Sequence, residues 1–350
     1  MMRKTLLLSL LFLSPSMAWS VVRTICASGC DHTTITAAET ASGGGDILEI
    51  QDSRTYDESW IPDDERTLRS VAGQTPIVQR MGAITVDLDS AGSPVTIDGI
   101  DGGLKISSTG GGSRTIQHGA GSKITLVVTD VEIQTDQTSP IVLANLLTTT
   151  ESSYTCERVK FDGNGKSNII GIQYQNADPG GTGRQLNVRN CVFFGFKGGT
   201  NGRAIKVDGT VTTNAGELIN NTIADADKGL DIDEKMVLTN NIFADSGDDI
   251  VEAGVFDKND GTFNIFEEEP STGWPASNIH GITVDFVNAA AKDFHLSNGT
   301  RGVDEGTTTS VTVDFDGDSR PQGPAYDIGM DETLPTIVVK GSLSLLGAGI

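Results

Sequence analysis

Basic residues, aromatics and long apolar runs are all scarce in this chain. Lys and Arg number 25 against 47 Asp and Glu, a formal net charge of −22. Nucleic acids and anionic membranes are gripped through clustered cations, so this balance argues against both as partners. It also repels polyanionic polysaccharides unless a cation bridges them. Aromatics make up 5% of residues, while Gly reaches 42 alongside many Thr, Val, Ile and Asp. That composition fits short strands and tight turns and speaks against a helical bundle. The one marked apolar run, residues 6–13, follows Arg3-Lys4 and precedes Ala18-Trp19-Ser20. It is well short of the ~20 residues that span a bilayer. Its form is that of a signal peptide over residues 1–20, with the mature chain starting at Val21. Losing Arg3 and Lys4 takes the charge from −22 to −24, and no later segment predicts a membrane helix.

Cysteine is sparse too. Four in an exported chain allow at most two disulfides. Cys26 and Cys30 stand close enough to pair; with His32 they would make a metal site one ligand short of the usual four. Cys156 and Cys191 fall about three residues apart on neighbouring strands in the register argued next, beyond disulfide reach, and are expected as buried thiols.

What the chain does have is a repeat. Residues 218–225, Leu-Ile-Asn-Asn-Thr-Ile-Ala-Asp, return at 238–245 as Leu-Thr-Asn-Asn-Ile-Phe-Ala-Asp. A period of about twenty is too short for a helical hairpin and long enough for one coil of a β-solenoid. The Asn pair belongs at a corner, where stacked amides hydrogen-bond at the ~4.8 Å inter-strand spacing. The same corner-plus-strand pattern begins at Asp130, Arg158, Asn190, Asn221 and Asn241, at spacings of 28, 32, 31 and 20 residues. Uneven spacing is expected where insertions enter at corners and strands keep register. Upstream, strands are predicted over residues 47–50, 67–71, 84–88, 95–97 and 104–106. Residues 33–41 predict a short helix, with Thr36 and Glu39 at capping-box spacing and Gly43-Gly44-Gly45 stopping it. Such a helix would cover the open edge of the first coil. About ten coils give a rod of roughly 45–50 Å.

These features resemble the secreted right-handed parallel β-helix proteins. The opening, Cys26-Ala-Ser-Gly-Cys30-Asp-His-Thr-Thr-Ile35 through Gly45-Asp46-Ile47, is similar to that family's capping helix and first strand. Asp293-Phe294-His295-Leu296, the Asp314-Phe-Asp316-Gly317-Asp-Ser-Arg320-Pro321 run and Tyr326-Asp327-Ile328-Gly329 resemble the terminal module called choice-of-anchor Q. The resemblance implies a signal peptide over 1–20, a capped β-helix over 21–290, a terminal module over 291–332 and a tail over 333–350.

Chemistry is less legible. Gly247-Asp248-Asp249, following Gly229-Leu230-Asp231, is similar to the polygalacturonase family, whose carboxylates on adjacent coils flank a glycosidic bond. The resemblance implies Asp231, Asp248 and Asp249 as catalytic. Lys228 stands where that family has its first catalytic Asp, however, and no Gly-His-Gly follows Asp249. A Ca²⁺-dependent lyase would need clustered carboxylates, drawn from Asp225, Asp227, Asp231, Asp233, Asp245, Asp248 and Asp249, with Lys228 or Arg203 as base. Asp314, Asp316 and Asp318 match the first ligands of a Ca²⁺ loop, but Ser319 and Ala325 leave that loop incomplete, and Arg320 paired with Asp316, Asp327 or Glu332 is the favoured account. Trp60, Trp274 and Tyr174 are candidate platforms for sugar rings.

The sequence therefore predicts an all-β, right-handed parallel β-helix with an N-terminal capping helix and a C-terminal capping tail. It reads as an exported, non-catalytic rod that binds a glycan or surface component, requires no cofactor and has Ca²⁺ as a possible ligand. A polysaccharide hydrolase or lyase using the Asp231/Asp248/Asp249 region is the alternative. A virion-associated attachment protein is a third reading.

Overall fold

The computed structural model describes residues 20–89, 91–110, 114–119, 123–135, 152–176, 185–209 and 215–334. The expected signal peptide and the tail after residue 334 lie outside the described residues. The chain is a right-handed parallel β-helix. A first ten-stranded face runs from Val22–Ile25 to Gly261–Thr262, and a second from Thr55–Asp57 to Ile279–His280. A third face has four strands: Ile170–Asn176, Arg203–Gly209, Lys228–Ile232 and Asp248–Glu252. Ten strands at ~4.8 Å give a rod of about 45 Å.

Alternation along each short strand builds the interior. On the second face Tyr56, Val78, Ile106, Ile133, Phe161, Phe193, Ile223, Phe243 and Phe266 stack in register, one per coil. The rings of Phe161 and Phe193 lie 4.4 Å apart and nearly parallel. Like residues stack because parallel strands carry each position directly above its equivalent, so a position that suits a ring on one coil suits it on the next.

The Asn pair divides its work. The second residue of each pair points inward and forms a ladder: Asn221 Nδ2 donates to Asn241 Oδ1 (2.9 Å), Asn241 to Asn264 (3.0 Å) and Asn264 to Asn278 (3.0 Å). The same oxygens accept the backbone N–H of the preceding coil, and each Nδ2 also donates to a strand carbonyl, as Asn241 does to Leu218 (2.7 Å). Buried amides are thereby satisfied without water. The first residue of each pair takes a left-handed backbone at the corner, as do Asp130, Arg158, Asn190, Asn220 and Asn240, all with φ between 49° and 55°. Asn tolerates that conformation better than most residues. The register aligns Phe193 with Ile223, so Asn190 is equivalent to Asn220, and the expected 31-residue step from Asn190 to Asn221 is really 30. Cys191 occupies the ladder position, its Sγ accepting Val159 N–H at 3.4 Å.

Helix Ile35–Thr40 closes the N-terminal end, with Ile35 and Ala38 in the core. Its N-cap is Thr34, not the expected Thr36, and accepts Ala37 N–H at 3.1 Å. Glu39 does not complete a capping box. It holds Arg66 (3.0 Å) and the Trp60 indole (2.9 Å) instead. Cys26 and Cys30 are joined, and Cys156 and Cys191 are buried and free.

The C-terminal module, described here as residues 284–332, runs back along the outside of the second face. Outward positions there change character along the rod: Lys105, Glu132 and Lys160 form an ion-pair row, which continues in register as Val192, Thr222, Ile242 and Ile265. The module covers that apolar half with Val284, Phe294, Leu296, Ile328 and Met330. The corner Asn residues anchor it, Asn240 exchanging bonds with Thr307 (2.7 and 3.0 Å) and Asn220 donating to Asp327 O (3.3 Å). Gly329 lies so close that a Cβ there would meet Ile242 Cδ1 at 2.6 Å.

Candidate functional site: a lateral cleft beside the C-terminal module

The three carboxylates implied as catalytic share the third face without converging. Asp231 aligns with Val251, three positions along the strand from Asp248, about 10 Å at the usual rise. Arg203 Nε holds Asp231 at 2.5 Å, and Asp248 is exposed in register with Lys228. Asp249 turns inward and is 2% exposed; its Oδ2 accepts Glu268 N–H at 2.8 Å and its Oδ1 accepts no hydrogen bond among the described residues. Burial pushes this carboxyl up to about 8, and the Glu267 and Glu268 charges add to the effect. Asp249 thus braces the turn of the next coil rather than facing a substrate.

The proposed sugar platforms are also corrected. Trp60 is 1% and Tyr174 2% exposed, both inside the coil. Trp274 packs on Phe266 (4.8 Å) and Phe256 (5.7 Å) and donates its indole N–H to Glu252 at 2.8 Å. It fills the space over Gly261, the last interior position of the first face, and so plugs the C-terminal end of the core.

The Asp314, Asp316 and Asp318 run does not converge on one ion. Asp314 is buried and spends its carboxylate on the backbone: Oδ1 accepts from Asp316 (3.0 Å) and Asp318 (2.8 Å), and Oδ2 from Glu332 (3.1 Å). Arg320 pairs with Glu332 at 2.9 Å, both side chains fully buried, and donates to the carbonyls of Asp327 (3.3 Å) and Gly329 (2.8 Å). Asp316 instead contacts His295 (2.6 Å).

The most site-like concavity is one that sequence reasoning did not assemble. Where the second face turns toward the third, the rod and the module enclose a cleft of about 810 Å³. Phe194, Ala224 and Ala244, outward-facing and in line, form its floor; Phe286, Phe294 and Val284 of the module form a wall. Its rim carries Asp225, Asp245, Glu267 and Glu268, with Ala289, Ala290 and Lys292 opposite. Asp225 and Asp245 are the last residues of the repeated octapeptide and take left-handed φ of 54° and 45° at successive coils. Burial, and then the charge of Asp245, hold Asp225 above the usual carboxylate range. Lys197 donates to Asp245 at 2.6 Å. Lys292 sits 4.8 Å above the Phe194 ring and binds Asp162 at 3.0 Å. Glu267 accepts the N–H groups of Asp245 (2.5 Å) and Val284 (3.2 Å), tying rod to module. The signal for this site was the switch of the outward row to apolar residues at Val192, together with the stacked Asp225 and Asp245.

No family model and no curated protein matches the chain. Among solved structures it is similar to a PL6 family alginate lyase, AlyGC, at 12% identity and a TM-score of 0.39, covering 75% of this chain and 39% of that one. It is similar to pectate lyase Pel9A at 12% identity and a TM-score of 0.36, covering 85% and 90%. It is also similar to the tailspike protein gp49 of Acinetobacter baumannii bacteriophage Fri1, a capsular polysaccharide depolymerase, at 12% identity and a TM-score of 0.27, covering 77% and 64%. The chain spans well under half the length of the alginate lyase. What each of these proteins acts on is a property of that protein.

Proposed function

We propose that this is an exported, non-catalytic β-helix protein that binds a saccharide chain in the cleft between its second face and its C-terminal module. The observation that carries this reading is the make-up of the cleft. An apolar, partly aromatic floor suits the flat face of a sugar ring, and a rim of carboxylates accepts hydrogen bonds from its hydroxyls. Four carboxylates against Lys292 on the rim, on a chain of net charge −22, favour neutral sugars or amino sugars over uronates. No helix among the described residues is long and apolar enough to cross a membrane. The mature protein on an array of neutral, amino-sugar and uronate oligosaccharides tests the proposal; it expects binding among the first two groups. Binding confined to uronates, or none to any group, would overturn it.

One observation favours a hydrolytic second reading. Asp225, held above the usual carboxylate range by burial and by the charge of Asp245, stacks beside Asp245 in the same cleft, and a pair of carboxyl groups is what acid and base roles require. On that reading new reducing ends appear with a cleft-bound glycan and vanish in Asp225→Asn.

A further inference from the structure

We propose that His295, Asp316 and Asp331 bind one divalent transition-metal cation of the zinc class, which joins three separate segments of the C-terminal module. This inference goes beyond the saccharide reading and does not depend on it. His295 lies on strand Asp293–Leu296, Asp316 in the turn that follows Asp314, and Asp331 near the end of the described chain. One ligand atom from each falls within 4.8 Å of the others.

Two further features point to a ligand rather than to an accidental meeting of charges. The first is the way the imidazole is held: Asp293 Oδ1 contacts Nδ1 at 2.5 Å, leaving Nε2 directed at Asp316 Oδ2, 2.6 Å away. As the ring stands both nitrogens donate to carboxylates; once Asp316 rotates off Nε2, the carboxylate on Nδ1 holds the tautomer that presents the Nε2 lone pair to a metal. The second is Asp331, which is 8% exposed. One of its oxygens accepts Leu296 N–H at 2.8 Å, and the other accepts no hydrogen bond among the described residues. A largely buried carboxylate with one oxygen left open beside His295 and Asp316 is placed to take a cation.

The scaffold is braced independently of any ion. Asp314 fixes the turn that carries Asp316 and also accepts Glu332 N–H, next to Asp331, so one buried side chain places two of the three proposed ligands. The donor set decides the class of cation. One imidazole nitrogen with two carboxylate oxygens suits Zn²⁺ and its neighbours, whereas Ca²⁺ and Mg²⁺ favour six or more oxygens. Asp316 is half exposed, so it can rotate inward to a bonding distance of about 2.0–2.2 Å while water takes the fourth position. The competing account is an ion pair in which protonated His295 bridges Asp293 and Asp316 with no metal at all.

The test is calorimetric titration of the chelator-stripped, full exported chain with Zn²⁺ and, in parallel, Ca²⁺. One Zn²⁺ per chain is expected, with a raised Tm and no comparable response to Ca²⁺. His295→Gln and Asp331→Asn should each weaken Zn²⁺ binding tenfold or more, and Asp318→Asn, outside the site, should not. Absence of Zn²⁺ binding, a site that takes only Ca²⁺, or binding unchanged in His295→Gln would overturn the proposal. Should a variant fail to fold, the imidazole resonances of the wild-type chain decide. Zn²⁺ is expected to move His295 and leave His32, His118 and His280 in place; a still His295 would contradict it.

Discussion

Replacing Asp249 by Asn should stabilise this protein increasingly as the pH rises. Asp249 is buried with one oxygen that accepts no hydrogen bond among the described residues, and its carboxyl is pushed up to about 8. An unfolded Asp titrates near 3.9. Between about pH 4 and pH 8 the native state therefore holds a proton that the unfolded chain has lost, and stability falls as pH rises through that window. The slope from this one group is at most ~1.4 kcal/mol per pH unit, so it costs up to about 4 kcal/mol between pH 5 and pH 8. Local relaxation and water entry will reduce that, and a measured change of ~2 kcal/mol is reasonable. Asn mimics the protonated acid in shape and still offers an oxygen to Glu268 N–H, but it cannot ionise. Urea unfolding of both proteins at pH 5, 6.5 and 8 and constant ionic strength should give a stability gap that widens with pH in favour of Asn. A gap independent of pH, or one that narrows, would refute the burial argument.

Three other outcomes follow from the same structure. Asn241→Ala strips acceptors and donors from two adjacent coils at once and should cost about 3 kcal/mol or more, against ~1–2 kcal/mol for Asn240→Ala, which loosens only the module; denaturant midpoints compare them. Burial pushes the Cys191 thiol up to about 12 and the Cys156 thiol well up too, so neither should react with a thiol reagent at pH 8 until denaturant unfolds the chain. Arg320→Ala leaves Glu332 buried without its partner and should destabilise by ~3–5 kcal/mol, seen as a lower Tm.

The architecture was legible because a parallel β-helix writes itself as stacked equivalents. Asn221 and Asn241 announced both the period and the ladder, and the strands after residue 46 follow their alternation closely. Two features blurred the reading. Cys191 takes the ladder position with a thiol where the next coils have amides, which hid the register by one residue. Asp248 and Asp249 open the strand Asp248–Glu252, where successive side chains alternate, so Asp249 turns inward although its neighbour Asp248 is exposed. The cleft stayed hidden for a different reason: its floor and its wall are about forty to a hundred residues apart in sequence. Only the apolar outward row beginning at Val192 hinted that something covers that face. Trp60, Trp274 and Tyr174 misled because an isolated aromatic carries no local mark of whether it faces solvent or closes a core.

Ala290 lies exposed on the cleft rim, in the short helix Ala289–Ala291 and away from the core, so Ala290→Trp fills the cleft without disturbing the coils. Binding of the best array glycan to the wild-type chain and to this variant, with unfolding curves run alongside, tests the central claim most directly. The account predicts at least a tenfold loss of affinity at unchanged stability. Equal affinity in the two proteins would place the glycan elsewhere and contradict it.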